Sequence, residues 1–194
     1  MEGMGVFKMG VSVKGQVGTF LTKRMVHYIE HDPGKNFAKL LKTGRRLDAT
    51  FKIGYQAPIH AAEEAWSNPN HPYHNYAVRF FTELDPKVRE KTVINFMIHA
   101  SLIGYSKQLQ LAKKYECNIP LAILMDPTSA CNLKCIGCWA AKYEKQDNLT
   151  FDELDSVIRQ GKELGIYFYL FSGGEPMMRR NDILRLCQKH DDCI

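Results

Sequence analysis

The sequence predicts an α/β protein in two parts, an all-helical N-terminal region followed by the first βα units of a parallel sheet. Two observations lead to this prediction. Residues 19–117 show helical apolar periodicity and contain no convincing strand. From residue 119 onward the pattern runs strand, loop, helix and then repeats, as in a parallel sheet. We therefore expect a helical region over residues 1–118 and an α/β domain over residues 119–194.

Two Asp-Pro pairs predict helix starts in the N-terminal region. Asp32 and Asp85 are favourable N-cap residues, and the proline that follows each one suits the first helical position. The second start leads into a stretch rich in Val, Ile, Phe, Met and Leu up to Ile103. This stretch is apolar enough to predict a buried helix.

The elements of the α/β part follow in order. Residues 121–125 form an apolar run suited to a strand buried on both faces. Thr150 and Glu153 have the spacing of a capping box and begin a helix. Residues 166–171 predict a second strand, and a further helix begins near residue 182. Two parallel strands leave an open edge where a third strand is expected, so we interpret the sequence as a truncated piece of a longer protein.

The bulk properties exclude several classes of protein. The net charge of +5 is too small to give a clear nucleic-acid signal. The longest apolar runs are far shorter than the roughly 20 residues that a membrane span requires. Lysines interrupt the glycine-rich start, so a secretory signal is not expected. A cytoplasmic protein with reduced cysteines is the resulting expectation.

Three of the six cysteines form a compact group with the spacing C-x3-C-x2-C, namely Cys131, Cys135 and Cys138. They follow the first predicted strand, at the sheet edge where ligands gather in α/β folds. Three thiolates this close can each bind one iron of a cuboidal cluster and leave the fourth iron without a protein ligand. An open metal position can bind a substrate or cofactor directly.

The spacing alone leaves other interpretations of the three cysteines open. An iron–sulfur electron carrier normally uses four cysteines. A zinc-stabilised binding module normally pairs C-x2-C units or Cys–His sets, and no second pair stands at suitable spacing. Chance proximity is the third alternative.

The cysteine spacing resembles that of the radical S-adenosylmethionine (SAM) superfamily. The resemblance implies that Cys131, Cys135 and Cys138 ligate a [4Fe–4S] cluster whose remaining iron binds the methionine moiety of SAM. Reductive cleavage of SAM would then give a 5′-deoxyadenosyl radical that abstracts hydrogen from an unknown substrate. One departure is Gly137, which stands where the family usually has an aromatic residue. Trp139 lies one place beyond the third cysteine and is either its substitute or a packing residue.

A second motif, Gly173, Gly174, Glu175 and Pro176, follows the second predicted strand. Glycines let the backbone approach a ligand closely, so that its carbonyls can accept from an ammonium group. Glu175 adds an anionic acceptor, and Pro176 stiffens the turn. The segment resembles the GGE motif with which the family binds the amino group of SAM.

The resemblance has further implications for the whole protein. It implies a partial (β/α)6 barrel, similar to a TIM barrel, of which this chain holds the first βα units. It also implies a reductant such as flavodoxin or ferredoxin. Some relatives carry further clusters in a C-terminal extension of the SPASM type. Since later strands supply most adenosine contacts in the family, we expect residues 1–194 alone to be inactive.

Several reactive residues receive structural interpretations instead of functional ones. Cys187 is predicted to be a small core residue of the last helix. Cys117 and Cys193 receive no assigned role, and Arg179 and Arg180 are interpreted mainly as surface charge. The histidines near the turn at residues 67–72 are predicted to face solvent, and these are His60, His71 and His74.

Overall fold

The computed structural model describes residues 13–51, 56–138 and 147–194. Two compact units are present. Residues 16–94 form a helical unit, and residues 95–194 belong to the other unit, which contains the sheet.

The described residues of the helical unit are mostly α-helical. The helices are α1 (Val13–His31), α2 (Pro33–Phe51), α3 (Gln56–Ser67), α4 (Pro72–Glu83) and α5 (Pro86–Ile94). Val26 and Ile29 of α1 are buried against Phe81 of α4, and these side chains form the core of the unit. The core is small, so most side chains of these helices are at least partly exposed.

Both predicted helix starts are confirmed. α2 begins at Pro33, and the Asp32 carboxylate accepts the Lys35 N–H at 3.0 Å. α5 begins at Pro86, where the Asp85 carboxylate accepts the Lys87 N–H at 2.9 Å. Each aspartate satisfies a backbone donor that the first helical turn leaves without a partner.

The apolar stretch after α5 is helical, but the prediction that it is buried was only partly right. Residues Asn95–Gly104 form a π-helix, and α6 (Tyr105–Tyr115) follows. Ile98 is buried, whereas Phe96 is 53% exposed and Leu102 is 47% exposed. The π-helix carries apolar side chains on all of its sides, and the residues packed against it cover only part of this apolar surface.

Strands β1 (Ala122–Met125) and β2 (Phe168–Phe171) are hydrogen-bonded to each other in parallel. Helix α7 (Phe151–Glu163) lies between them in the sequence. Met125 lies opposite Phe171 in the register. The core of this unit contains Met125, Leu154 and Ile158 of β1 and α7, together with Leu186 of the last helix. The opposite face of the sheet carries Leu124 and Leu170, a register pair whose side chains are both exposed.

A capping box sets the start of α7, as predicted from the sequence. The Thr150 hydroxyl accepts the Glu153 N–H, and the Glu153 carboxylate accepts the Thr150 N–H, which completes the predicted capping box. The second strand begins later than predicted, at Phe168, because the Ile166 N–H still bonds the Gly161 carbonyl of α7.

The last residues continue the βα pattern. One 3-10 turn (Pro176–Arg179) leads into α8 (Arg180–Lys189). The Ile194 N–H then donates to the Tyr167 carbonyl, and the Ile194 carbonyl accepts the Tyr169 N–H, both at 2.8 Å. These two bonds attach Ile194 to the backbone at the start of β2.

The prediction that Cys187 is a core residue was wrong, because its side chain is exposed. Leu186 of α8 and His190, the C-cap of that helix, are buried and lie four positions apart on the same side. Cys187 is one position out of phase with that side.

Candidate iron–sulfur and SAM site

The two predicted motifs lie at the same edge of the sheet. The cysteine loop follows β1 and the Gly173–Glu175 segment follows β2, and the two strands are parallel neighbours. Both motifs therefore lie at the carboxyl ends of adjacent strands, which is the usual ligand-binding edge of α/β folds.

Backbone hydrogen bonds join the two segments directly. The Ser172 N–H donates to the Met125 carbonyl at 2.8 Å, and the Gly174 N–H donates to the Thr128 carbonyl at 3.0 Å. The Glu175 N–H then donates to the Ala130 carbonyl at 2.9 Å, one residue before Cys131. The predicted adjacency of the two motifs is confirmed.

The two glycines have a structural reason beyond the one that the sequence suggested. Gly173 has a φ of +98°, a conformation that side chains rarely adopt. A Cβ on Gly174 would lie 2.2 Å from the Ala130 carbonyl oxygen. The absence of side chains thus lets this segment pack against the stem of the cysteine loop.

Glu175 and Pro176 begin the 3-10 turn that follows. Glu175 is the N-cap, and its Oε1 accepts the Met177 N–H at 2.9 Å, while Pro176 occupies the first helical position. The side chain of Glu175 is half-buried beside the loop stem. Its orientation is therefore fixed by the turn that it caps.

The cysteine loop is closed at its base by a short antiparallel neck, which we define as residues 127–129 paired with residues 147–149. The Ser129 N–H donates to the Asp147 carbonyl at 2.9 Å, and the Leu149 N–H donates to the Pro127 carbonyl at 3.1 Å. Between them the buried Thr128 hydroxyl lies 2.6 Å from the Asn148 amide oxygen. The neck holds the start and the end of the loop together.

The three cysteines lie on the exposed part of this loop. Cys131 is half-buried, and its sulfur accepts the Leu133 N–H at 3.3 Å. Cys135 and Cys138 are exposed and are joined by a turn, in which the Cys138 N–H donates to the Cys135 carbonyl at 3.4 Å. Trp139 lies outside the described residues, as does the rest of the loop up to residue 146.

The donor set has the chemistry that a [4Fe–4S] cluster requires. All three residues are cysteine thiols, soft ligands that select iron–sulfur clusters, and they occupy one accessible loop. Over residues 13–51, 56–138 and 147–194 no group of three or more His, Cys, Asp or Glu side chains is arranged around a single metal ion. The convergence of the three sulfurs around one cluster stays a prediction.

The other reactive residues have structural surroundings. Cys193 packs against the core of its unit, and burial together with the nearby Asp192 raises the pKa of its thiol to about 12. His71 is the N-cap of α4, and its Nδ1 accepts the Tyr73 N–H at 3.3 Å. His74 stacks on Trp66 with ring centroids 4.3 Å apart. Both histidines are half-buried, so the prediction that they face solvent was only partly right for them, whereas His60 is exposed.

Sequence reasoning did not find the residues that hold the loop. Thr128 and Asn148 pair across 20 residues, and no local signal marks such a pair. Arg179 was interpreted mainly as surface charge, but its side chain is only 20% exposed and bonds the neck. Asp182, three residues later in the first turn of α8, was the available signal for an ordered arginine.

Comparison with known proteins agrees with this site. Residues 125–192 match the family model of the Radical SAM superfamily. Members of that superfamily use a [4Fe–4S] cluster and S-adenosylmethionine. The matched residues include both motifs and the neck between them.

Curated relatives match parts of the chain. A GTP 3′,8-cyclase of Alkaliphilus metalliredigens is 42% identical over 60 residues, which are 29% of this chain and 19% of the relative. A PqqA peptide cyclase of Bradyrhizobium diazoefficiens is 34% identical over 88 residues, 44% of this chain and 22% of the relative. An uncharacterised protein of Archaeoglobus fulgidus is 28% identical over 80 residues, 40% of this chain and 19% of the relative.

The chain thus spans about a fifth of the length of the curated relatives it matches. No solved structure matches it. Among the helices of the described residues, none is long and apolar enough to cross a membrane.

Proposed function

We propose that this protein is a radical SAM enzyme in which Cys131, Cys135 and Cys138 ligate the [4Fe–4S] cluster. In the same proposal, residues 173–176 bind the amino group of SAM. The direct backbone bonding between the two motifs at adjacent parallel strand ends supports it best. When bound, the cluster and SAM supply a 5′-deoxyadenosyl radical that abstracts a hydrogen atom from the substrate.

Each residue has a distinct task in this proposal. The three thiolates bind three irons and leave one iron without a protein ligand, which is the position for SAM. The backbone carbonyls of Gly173 and Gly174, together with the Glu175 carboxylate, accept hydrogen bonds from the SAM ammonium group. The cap bond from Met177 to Glu175 holds that carboxylate in place, so little side-chain entropy is lost on binding.

The finer features of the whole protein are also proposals. They are a partial (β/α)6 barrel that starts with β1 and β2, a helical region over residues 1–118, a cytoplasmic location and a reductant such as flavodoxin or ferredoxin. The matched relatives are named for a nucleotide and for a peptide substrate. Because these names differ, and because residues 125–192, which match the family model, carry the motifs proposed to bind the cofactors, we propose no substrate.

The test is anaerobic reconstitution of the full-length protein with iron and sulfide. We expect an electron paramagnetic resonance (EPR) signal of a reduced [4Fe–4S] cluster that changes when SAM is added. Alanine at Cys131, Cys135 or Cys138 is expected to abolish SAM cleavage. The exposed Cys187 is the matched control, and Cys187→Ala is expected to keep its iron content.

The contrary outcomes separate the alternatives. A cluster whose EPR signal does not respond to SAM indicates an electron carrier and contradicts the proposal. Bound zinc without a cluster after anaerobic reconstitution indicates a binding module. Loss of iron from the Cys187→Ala variant would show that this cysteine is a ligand and that the assigned set is wrong.

A further inference from the structure

The Arg179 side chain bonds both sides of the neck and also Asp182 of α8. Its Nη1 donates to the Leu149 carbonyl at 2.6 Å and to the Pro127 carbonyl at 3.3 Å. These two carbonyls belong to the two sides of the neck that closes the cysteine loop. Arg179 itself ends the turn that follows the Gly173–Glu175 segment.

Asp182 fixes the direction of the guanidinium. Its Oδ2 accepts from Arg179 Nη2 at 2.6 Å and from Nε at 2.9 Å. With one edge of the planar fork held by the carboxylate, the remaining nitrogen points at the neck. Both side chains are less than a quarter exposed, so this is an ordered arrangement and not a solvated surface pair.

We propose that Arg179 is a positioning residue for the cysteine loop, holding the neck in register with the Gly173–Glu175 segment. This inference rests on the proposed function, in which one SAM molecule contacts both the cluster and that segment. A loop that could shift along the segment would still offer three thiols to iron. It would no longer place the cluster at a fixed distance from the amino-group site.

The backbone bonds beside the neck explain why a side chain is needed there. Gly174 and Glu175 bond the stem at Thr128 and Ala130, but they touch only the outgoing side of the loop. The returning side, residues 147–149, is bonded to the outgoing side across the neck, and Arg179 adds a direct bond from the residue that ends the turn after the motif to the Leu149 carbonyl. Losing the arginine therefore weakens the attachment of the returning side while leaving the bonds between the motif and the outgoing stem in place.

The first experiment measures amide hydrogen exchange in the apo form of the full-length protein, which needs no cofactor. In Arg179→Ala we expect the amides of Ser129 and Leu149, which donate across the neck, to exchange about tenfold faster than in the wild type. Arg180→Ala is the matched control, because Arg180 is the adjacent and exposed arginine. We expect its exchange to stay within twofold of the wild type.

The second experiment measures the iron content and the dissociation constant for SAM after reconstitution. Arg179→Ala is expected to keep its iron content and to bind SAM about tenfold more weakly, a separation that general unfolding would not produce. Arg179→Lys keeps the charge but loses the fork, so we expect an intermediate SAM affinity. If Arg179→Ala does not fold, the same measurements on Arg179→Lys test the inference.

Two results would overturn the inference. One is neck exchange and SAM affinity within twofold of the wild type in both Arg179 variants. The other is an equal effect of Arg180→Ala. A wild-type protein that forms no SAM-responsive cluster refutes the proposed function instead, and the apo exchange result shows which of the two ideas has failed.

Discussion

Gly173 and Gly174 serve the local chain as well as any ligand. The segment runs so close to the stem of the cysteine loop that a Cβ at Gly173 would lie 2.8 Å from the Asp126 Cβ. At Gly174 the nearest atoms are backbone carbonyls, which cannot move aside as a flexible side chain can. Part of the reason for glycine at these positions is therefore the adjacency of the two motifs itself.

We predict that Gly174→Ala lowers the free energy of unfolding by about 1–3 kcal/mol, the usual cost of overpacking. Its Cβ would lie 2.2 Å from the Ala130 carbonyl oxygen and 2.7 Å from that of Ser129. Gly44→Ala is the control, since Gly44 lies within α2 and its nearest heavy atom is 3.8 Å away. We expect that variant to be stabilised by about 0.5–1 kcal/mol. Chemical denaturation measures both, and an unchanged Gly174→Ala contradicts the packing described.

At the scale of secondary-structure elements, sequence signals set where helices begin, and tertiary packing sets what their faces meet. Asp32, Asp85 and the Thr150–Glu153 box act within one helical turn, so they were predictable from the sequence. The exposure of Cys187 depends on which face of α8 meets α7, and no local pattern fixed that phase. The neck likewise pairs residues on either side of the whole cysteine loop. The cysteine and glycine motifs were recognisable, but the residues that hold them in place were not.

α7 and α8 are joined by a buried carboxylate. Asp155 of α7 accepts from His190 Nε2 at 2.9 Å and from Lys189 Nζ at 2.8 Å, and Arg159 lies 3.3 Å from its other oxygen. Burial raises the pKa of Asp155, but the hydrogen bonds from Lys189 and His190 outweigh burial and lower it overall. The charged carboxylate is therefore the form that stabilises the folded state.

We predict that this carboxylate gives the fold an acid-sensitive contact. A carboxyl with a lowered pKa stabilises the folded state above its unfolded pKa of about 3.9 and loses that effect as the pH falls through its folded pKa. The unfolding free energy of the wild type should thus drop on acidification below about pH 4 by more than that of Asp155→Asn. Urea denaturation at pH 7 and pH 3 measures the difference, with the exposed Asp152→Asn as control. Equal pH dependence in all three proteins would contradict the role given to Asp155.

At the scale of the whole molecule, the sheet is covered on one face only. Met125 and Leu154 lie in the core on the helical side, whereas Leu124 is 62% exposed and its register partner Leu170 is 44% exposed on the other side. Ile194 bonds the backbone at the start of β2, through the Tyr167 carbonyl and the Tyr169 N–H. In a (β/α) barrel the face opposite the helices is the packed interior, so the proposed partial barrel accounts for leucines at these two positions.

The partial barrel makes a prediction that a free-standing two-stranded sheet does not. In the full-length protein, Leu124→Glu is expected to lower the free energy of unfolding by more than about 3 kcal/mol, because a charge would be buried without a partner. Leu184→Glu is the matched control, because Leu184 is 46% exposed on α8, outside the sheet. We expect that change to stay within about 0.5 kcal/mol. In residues 1–194 expressed alone, Leu124→Glu should instead reduce self-association, since it places a charge on an exposed apolar face. Equal and small effects of both substitutions in the full-length protein would show that this face is not a barrel interior, and the fold proposed for the whole protein would then be wrong.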